Sequence, residues 1–338
     1  MKLLVAGGAG YVGSALVPVL VEHGYAVDVV DLLWFGNNLP AGVPVRAQDL
    51  FDCTQEDLRG YDQVIFLAGM SNDPMAEYDP PRNFVFNGAL PSYLAFTAKK
   101  AGVRRFIYAS SCSVYGYAVD ELYNEESPAT CDYPYGISKL QGERGVLQLQ
   151  DKSFSVIALR KGTVSGHSPR MRMDLIVNTM FKSAMTERKI TVDNPSIWRP
   201  ILAMRDATSA YLRAIQADSA VNGVFNIASQ NHTVGQVSDM VKSAVEKLTG
   251  LKVKIDIKNK NDCRNYKVSI DKAKTLLGYQ PQQTVADIVE DLYNHQESYG
   301  DYDDYRYYNI RVIERMSGGP GKTVAGDPVA WGTHRRHA

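Results

Sequence analysis

The sequence predicts an α/β protein, a doubly wound parallel sheet followed by a smaller C-terminal α/β lobe. Through the first half of the chain, short apolar runs alternate with amphipathic helical stretches, as in strands joined by right-handed helical crossovers. After Gly166 this alternation gives way to shorter, mixed elements. We therefore expect a first domain over 1–165, to which later segments return, a second lobe over 166–298, and a partly mobile extension over 299–338.

The composition limits the classes of partner. The 338 residues suffice for a full core, and 37 basic side chains balance 37 acidic ones, so no charged surface for nucleic acid or anionic lipid is expected. The first strand begins at Lys2 and no apolar run reaches membrane-spanning length, so we expect a cytoplasmic protein without a membrane partner. The four cysteines and six histidines lack metal-ligand spacing, so no metal site is expected.

The first element is a strand that turns directly into a helix. An apolar run at 3–6 leads into Gly7-x-x-Gly10-x-x-Gly13 and then into helical periodicity. The first N–H groups of such a helix are unpaired and bind anions, and glycines allow the tight turn and the close approach of a pyrophosphate. Pro18 lies inside this helix and predicts a kink or an early end.

The second strand, 26–31, ends in an acid. Asp31 is placed to accept hydrogen bonds from the ribose hydroxyls of an adenosine, and the complete strand–turn–helix–strand–acid context favours this over a plain turn. The stretch therefore predicts a dinucleotide site. A carboxylate would repel a 2′-phosphate, so the predicted cofactor is NAD rather than NADP.

The remaining elements follow from periodicity and caps. A capping box, Thr233 to Gln236, opens a helix that Gly250 ends. The tyrosine-rich run 301–308 packs either on the body or on a partner, and the sequence does not decide which. The other expected elements are strands at 63–68, 105–110, 155–160 and 251–257, and helices at 81–101, 135–151, 174–186, 205–217 and 284–298.

One helix start carries side chains suited to proton transfer. Tyr135 and Lys139 lie four residues apart and so share one helical face. A phenol is a poor base near neutrality, and an ammonium one turn away would lower its pKa toward the working range. An isolated pair of this kind is usually ordinary helix surface. Ser111, however, ends a predicted strand, where ligands of doubly wound sheets bind, so we predict Ser111, Tyr135 and Lys139 as catalytic residues.

The motifs occur in the order of a known family. They are the glycine turn, Asp31, Asp49-Leu50, Leu67-Ala68-Gly69, Asn87, Ser111 to Gly116, Tyr135-x-x-x-Lys139 and Trp198-Arg-Pro200 through Asp206. Over about residues 1–295 the chain resembles the extended short-chain dehydrogenase/reductases of the NAD-dependent epimerase/dehydratase family, in particular the UDP-galactose 4-epimerase-like nucleotide-sugar epimerases. The resemblance implies a Rossmann domain whose NAD is held by Gly7, Gly10, Tyr11, Val12, Gly13, Asp31, Asp49, Leu50, Leu67, Ala68, Gly69, Asn87, Tyr135 and Lys139.

The resemblance also implies a reaction. Tyr135 would take the proton of a sugar hydroxyl, usually at C4, while hydride passes to NAD, and Ser111 would hydrogen-bond the same oxygen. Family dehydratases carry an Asp-Glu pair directly after the active-site hydroxyl, where this chain has Cys112 and Ser113, so a 4,6-dehydratase is disfavoured. The stretch from Thr163 to Leu175 matches a form shared by a subgroup of sugar epimerases. We therefore expect an epimerase.

The expected substrate is a nucleotide-diphosphate sugar. An arginine fork suits paired phosphate oxygens, although any one of these arginines would more often be solvated surface. For Cys112 the commoner case is a small buried side chain at a strand end. The predicted substrate-binding residues are Ser71, Cys112, Ser113, Thr163, Arg170, Arg172, Asn178, Arg199 and Arg264.

Two other functions stay open at this point. An NAD(P)H-dependent 4-keto nucleotide-sugar reductase would use the same three catalytic side chains but would consume reduced cofactor. A non-catalytic NAD-sensing protein would keep the fold without needing a tuned phenol. Family members commonly dimerise through two long helices, here 81–101 and 135–151, which predicts a homodimer. The sequence does not identify the nucleotide, the sugar or the inverted carbon.

Overall fold

A computed structural model describes residues 1–258 and 265–317. Its strands are β1 (Lys2–Ala6), β2 (Ala26–Asp31), β3 (Val45–Ala47), β4 (Gln63–Phe66), β5 (Arg105–Ser111), β6 (Tyr117–Tyr123), β7 (Ser155–Lys161), β8 (Thr163–Ser165), β9 (Lys189–Asp193), β10 (Trp198–Ala203), β11 (Gly223–Ile227), β12 (Gln230–Thr233), β13 (Lys254–Lys258) and β14 (Asn265–Val268). Its helices are α1 (Tyr11–Glu22), α2 (Gln55–Leu58), α3 (Asp73–Tyr78), α4 (Pro80–Phe84), α5 (Leu90–Lys100), α6 (Pro134–Leu147), α7 (Ile176–Glu187), α8 (Met204–Gln216), α9 (Val234–Thr249), α10 (Asp271–Leu277), α11 (Val285–Asn294) and α12 (Asn309–Ser317).

The centre of the molecule is a seven-stranded sheet in the order β11-β7-β5-β4-β1-β2-β3. All six strand pairs are parallel. Residues of α5 and α6 pack in the core on one face, and residues of α1 and α8 pack on the other. Both faces are therefore covered, which is why β5 is buried at every position. The doubly wound parallel sheet predicted from the sequence is confirmed, and ligands are expected at the carboxyl ends of its strands.

The second lobe is built from short sheets and three helices. Strand β10 pairs with β8 in parallel and with β12 antiparallel, while β9 pairs with β13. Helices α7, α9 and α11 pack together on these strands around an apolar core that includes Phe181, Val241 and Val289. Between these elements the chain returns to the first domain through α8, β11 and α10.

The predicted ends of two helices, α9 and α1, can be compared with the structure. Thr233 and Gln236 form the predicted capping box, and Gly250 ends α9 in the left-handed conformation with φ 72°. Helix α1 does not end early at Pro18 but runs to Glu22, so the early end was wrong, and the alternative, a kink at Pro18, stays a prediction. A proline removes one helical hydrogen bond, and the buried side chains of this helix, Leu16, Val17 and Leu20, pack on the sheet and hold it together.

The long helix expected over 81–101 is interrupted by a wider turn. The chain forms α4, then a π-helical turn at Val85–Ala89, and then α5. Such turns are rare and often occur at functional sites. This one contains Asn87, one of the predicted cofactor residues.

The tyrosine-rich run packs on the body of the chain. Tyr302, Tyr307 and Tyr308 lie against the core of the second lobe. Beyond them, α12 reaches the first domain, where Ile313 is 1% exposed. The sequence had left open whether this run packs on the body or on a partner, and the structure places it on the body. The predicted mobility of the last residues, 318–338, concerns a part of the chain outside the described residues. Among the described helices, none combines the length and apolarity needed to cross a bilayer.

Candidate active site

The glycine turn fits a bound pyrophosphate. Gly7 has φ 79°, and a Cβ there would lie 2.4 Å from the backbone nitrogen of Ala68. A Cβ on Gly13 would lie 2.4 Å from the carbonyl oxygen of Gly8. At Gly10, by contrast, the nearest protein atom to such a Cβ is the Gly7 oxygen at 3.4 Å, and no side chain caps the start of α1. The protein itself thus leaves room at Gly10, beside uncapped N–H groups that suit a phosphate.

Asp31 is fixed at the end of β2 by two backbone bonds. Its carboxylate accepts from the N–H of Leu33 at 2.8 Å and of Ala9 at 3.0 Å. Burial raises the pKa of this carboxyl, while the two hydrogen bonds and Arg170 oppose that shift. One pocket brings together Asp31 and seven other predicted cofactor residues, namely Gly7, Gly10, Asp49, Leu50, Leu67, Ala68 and Gly69.

Aromatic side chains that the sequence analysis missed also line this pocket. They are Trp34 and Phe35, which follow β2, and Phe86, which lies in the π-helical turn. The adjacent pair Trp34-Phe35, three and four residues after the acid at the end of β2, was the available signal. Apolar rings beside the ribose-binding acid make the pocket suitable for an adenosine.

Asn87 has an unsatisfied acceptor beside Gly69, one of the residues that line this pocket. Its amide nitrogen donates to Met70 O and to Asn83 Oδ1, each at 2.8 Å. Its Oδ1 is buried and has no hydrogen-bond partner among the described residues. A Cβ on Gly69, which lines the pocket, would lie 2.2 Å from that oxygen. The glycine turn, Asp31 and this free acceptor together fit NAD.

Tyr11 connects the two lobes through its side chain. Its hydroxyl donates to the carbonyl of Gly166 at 2.7 Å and accepts from Asn178 Nδ2 at 3.1 Å. Asn178 also accepts from Gly166 N at 2.9 Å and donates to the carbonyl of Arg172 at 2.7 Å. With its side chain fully buried and both amide ends engaged, Asn178 stabilises the lobe junction, and its contact with substrate stays a prediction. Tyr11 and the half-buried Val12, two of the predicted cofactor residues, lie in the first turn of α1.

The three predicted catalytic side chains lie together at the carboxyl end of β5. Ser111 is the last residue of that strand, and its hydroxyl is hydrogen-bonded to the phenol of Tyr135. The Ser111 Oγ also accepts from the backbone N–H of Ser113 at 3.2 Å. Lys139 lies one turn further along α6, 5% exposed, with its Nζ 4.5 Å from the ring centroid of Tyr108.

The electrostatics differ from the sequence expectation. Burial raises the pKa of Tyr135 to about 12, opposed by the Ser111 hydrogen bond and by Arg172, while the charge of Asp73 raises it further. Burial, together with repulsion from Lys161, instead lowers the pKa of Lys139 well below its usual value. The net pKa of Tyr135 is therefore raised and not lowered toward the working range as expected, because helical spacing carries no information on desolvation.

A buried ion pair between Arg160 and Glu143 lies next to the catalytic side chains. Arg160 meets Glu143 at 2.9 Å (Nε to Oε2) and 2.6 Å (Nη2 to Oε1), with side chains 7% and 2% exposed. Ser110 Oγ donates to Glu143 at 2.6 Å, and Arg160 donates to the Tyr115 hydroxyl at 2.8 Å. Glu143 lies one turn after Lys139 on α6, and its charge raises the pKa of that lysine.

Several predicted substrate residues lie on the Tyr135 side of the cleft. Arg172 donates to Ser71 Oγ at 2.7 Å and pairs with Asp174 at 2.8 Å. The Ser113 hydroxyl lies 3.3 Å from that of Tyr266, over whose ring Arg199 is positioned at 5.9 Å. Thr163 begins β8, and Arg264 lies outside the described residues.

Two other predicted substrate residues are placed differently. The thiol of Cys112 has no exposed surface and donates to the carbonyl of Arg160 at 3.1 Å. This fits the alternative of a small buried side chain at a strand end. The guanidinium of Arg170 lies 3.8 Å from the ring of Phe35, which places it beside the cofactor pocket.

Lys161 and Asp73 are charged residues of the site that are not among the predicted site residues. Lys161 is the last residue of β7, pairs with Ser111 in the sheet register, and has its pKa lowered to about 8 by burial and by Arg172. Asp73 begins α3 and is 8% exposed. Both follow or end strands at the ligand-binding edge, which was the signal available in the sequence.

Comparison with known proteins agrees with this geometry. Residues 3–228 match the model of the NAD dependent epimerase/dehydratase family. The UDP-glucose 4-epimerase of Corynebacterium glutamicum is 26% identical over 325 residues, covering 89% of this chain and 97% of the relative. UDP-glucose 4-epimerase 3 of Oryza sativa subsp. japonica is 28% identical, covering 87% of this chain and 89% of the relative.

Solved structures show the same similarity. MoeE5 in complex with UDP-glucuronic acid and NAD has a TM-score of 0.78 at 25% identity, covering 88% of this chain and 99% of MoeE5. UDP-glucose 4-epimerase of Thermotoga maritima with UDP-glucose gives the same TM-score, identity and coverages. Since the family match spans well over half of the chain and the pocket fits the dinucleotide, this protein belongs to the NAD dependent epimerase/dehydratase family, with NAD as its cofactor.

Proposed function

We propose that the protein is an NAD-dependent nucleotide-sugar epimerase that inverts C4 of its sugar. The observation that carries this proposal is the hydrogen-bonded pair of Ser111 and Tyr135 at the carboxyl end of β5, with Lys139 one turn away. Similar proteins named as UDP-glucose 4-epimerases, and a similar structure that holds UDP-glucuronic acid with NAD, support the substrate class. A nucleoside diphosphate sugar is therefore the proposed substrate.

The side chains divide the chemistry between them. As its phenolate, Tyr135 accepts the proton of the C4 hydroxyl, and Ser111 donates a hydrogen bond to the same oxygen as it becomes a carbonyl. NAD, when bound, would supply the acceptor for the C4 hydride and would return that hydride to the opposite face of C4 after the keto sugar has turned over. After the keto sugar has turned over in the site, the Tyr135 phenol returns the proton to the oxygen on C4. Lys139 contributes a buried amine beside the base and, by the family resemblance, holds the nicotinamide ribose.

The positions directly after Ser111 favour epimerisation over dehydration. Loss of water from a keto sugar needs an acid and a base at the neighbouring carbons. Cys112 is buried with its thiol bonded to Arg160, and the Ser113 hydroxyl faces Tyr266. Neither side chain can act as a carboxylic acid there.

The first experiment is native mass spectrometry of the purified protein, followed by incubation with UDP-, GDP-, CDP- and dTDP-sugars without added cofactor. We expect bound NAD and isomerisation of one sugar. Tyr135→Phe should abolish turnover and retain NAD, while Tyr25→Phe, at a phenol outside the site, should behave as wild type. Cofactor-free protein that consumes reduced nicotinamide stoichiometrically would instead identify a reductase. NAD binding without turnover of any sugar would identify a sensor.

We also propose a homodimer formed by α5 and α6. These helices pack together and leave apolar side chains in solvent, with Tyr93 39%, Phe96 50% and Ile137 37% exposed. Pairing with a second copy would bury this surface in a four-helix contact. Sedimentation velocity should show a dimer, and Phe96→Glu a monomer. Met240→Glu, at a similarly exposed apolar position on α9, should stay dimeric.

A further inference from the structure

The segment after Ser298 reaches into the cofactor cleft. The two solved structures are matched over 99% of their own length but cover only 88% of this chain. About a tenth of this chain therefore has no counterpart in them. The described part of the segment after Ser298 touches both parts of the molecule.

Contacts on both sides fix the segment in place. Met173 N donates to the carbonyl of Tyr307 at 3.1 Å, and Lys182 Nζ donates to the hydroxyl of Tyr308 at 2.9 Å. A turn later, Ile313 is buried in the same apolar core as Phe86, which lines the cofactor pocket. Asn309 lies between these two anchors, so its position is set by the packing on either side.

Asn309 orients one particular arginine. Its side chain is 5% exposed, and its Oδ1 accepts from Arg170 Nη2 at 2.5 Å. The other end of the amide, Nδ2, donates to Ser71 Oγ at 2.9 Å. Both halves of the amide are engaged, so rotation of the side chain would break two buried hydrogen bonds.

Arg170 lies between the two cofactor-binding elements. Its backbone N–H donates to Ser14 Oγ at 3.1 Å, in the first turn of α1, where a phosphate binds. Its guanidinium lies 3.8 Å from the ring of Phe35, which shares the pocket with Asp31. The charge of Asp31 also acts on this guanidinium. The side chain therefore spans the interval between the phosphate site and the ribose site.

The guanidinium still has a donor to offer. Arg170 is 3% exposed, and its Nε has no hydrogen-bond partner among the described residues. Burial and repulsion from Arg172 lower its pKa to about 9. A phosphate oxygen would satisfy this donor and offset the repulsion between the two arginines.

We propose that Arg170 binds the adenosine diphosphate half of NAD, and that Asn309 of the C-terminal segment is the positioning residue that aims it. The segment then acts as a clasp that slows release of the dinucleotide. This assigns Arg170 to the cofactor rather than to the substrate diphosphate. It does not depend on which sugar the enzyme converts.

The test is the rate of NAD release. Full-length protein loaded with labelled NAD is chased with excess unlabelled NAD, and the label retained is followed over time. Arg170→Met and Asn309→Ala should each release NAD about ten-fold faster or more, as expected for loss of a charge-assisted hydrogen bond. Affinity for ADP-ribose should fall by a similar factor. Glu314→Ala, at an exposed position on the same helix, should leave the release rate unchanged.

A conservative variant separates positioning from packing. Asn309→Asp keeps the oxygen that accepts from Arg170 and loses the donor to Ser71, so it should retain NAD as wild type does. Rapid release from Asn309→Asp, or wild-type release from both Arg170→Met and Asn309→Ala, would overturn the proposal. Unchanged affinity for ADP-ribose would overturn the assignment to the adenosine half. Thermal melts accompany each measurement, and Arg170→Lys, which keeps the charge without the fork, replaces the Met variant if that one fails to fold.

Discussion

The buried pair of Glu143 and Arg160 connects the stability of the fold to the chemistry of the site, and Glu143→Gln tests that connection. The substitution keeps the shape of the side chain and removes its charge. Arg160 would then keep one described neutral acceptor, the Tyr115 hydroxyl, and would face an amide in place of a carboxylate. One buried positive charge would be left without its counterion.

The size of the loss follows from the burial of both partners. With side chains 7% and 2% exposed and two bonds of 2.9 and 2.6 Å, solvent cannot replace the lost interaction. Breaking such a pair costs about 3–5 kcal/mol, which corresponds to a fall in Tm of roughly 10 °C. The charge of Glu143 also raises the pKa of Lys139. In the Gln variant that pKa falls further, so Lys139 loses its charge at a lower pH and activity declines earlier on the alkaline side.

Urea unfolding and pH–rate profiles measure the two effects. Glu290→Gln, at an exposed position on α11, should stay within about 0.5 kcal/mol of wild type. The double variant Glu143→Met with Arg160→Met should recover much of the stability, because neither charge then remains buried. A loss below about 1 kcal/mol for Glu143→Gln would refute the reasoning, as would a double variant whose losses simply add.

Four further substitutions test other parts of the structure. Gly10→Ala should fold normally but bind NAD at least ten-fold more weakly in fluorescence titration. Gly13→Ala should instead lower the Tm, because only the Cβ at position 13 would clash with backbone, at 2.4 Å. Lys161→Met should remove an inflection near pH 8 from the profile of kcat, since the pKa of Lys161 is about 8; an unchanged profile would count against its place in the site. Burial and the neighbouring His295 lower the pKa of His167 to about 4, so between about pH 6.5 and 4 the unfolded state binds a proton that the folded state does not. Stability should therefore fall by on the order of 1 kcal/mol as the pH drops through that range, and His167→Gln should abolish this share of the loss in pH-dependent urea melts.

Features set by local spacing could be predicted from the sequence. The glycine turn and Asp31 are separated by one helix, and their contacts follow from strand, turn and helix geometry alone. The capping box at Thr233 and Gln236 is likewise a property of four consecutive residues. The proximity of Ser111 and Tyr135 could be predicted from the rule that ligands bind at the carboxyl ends of parallel strands.

Features set by long-range burial could not be predicted in this way. The pKa of Tyr135 depends on desolvation by segments far along the chain, and sequence spacing measures none of that. Nothing in the local sequence shows that Tyr11 and Gly166 hydrogen-bond the amide of Asn178. The path of the C-terminal segment across both lobes depends on a few tyrosines and two isoleucines without a regular period. The position of Asn309 next to Arg170 could therefore not be predicted from the sequence.

The direction of the Asn87 side chain depends on the number of residues in the π-helical turn at Val85–Ala89 and not on which residues they are. Each residue of a regular helix turns the chain by about 100°, so deleting one residue here would restore a plain α-helix and swing Asn87 away from Gly69. No single substitution produces the same rotation. The position of Asn87 in the cofactor cleft is therefore insensitive to single substitutions in this turn. Only an insertion or a deletion would change it, and that would also rotate the preceding helix relative to α5.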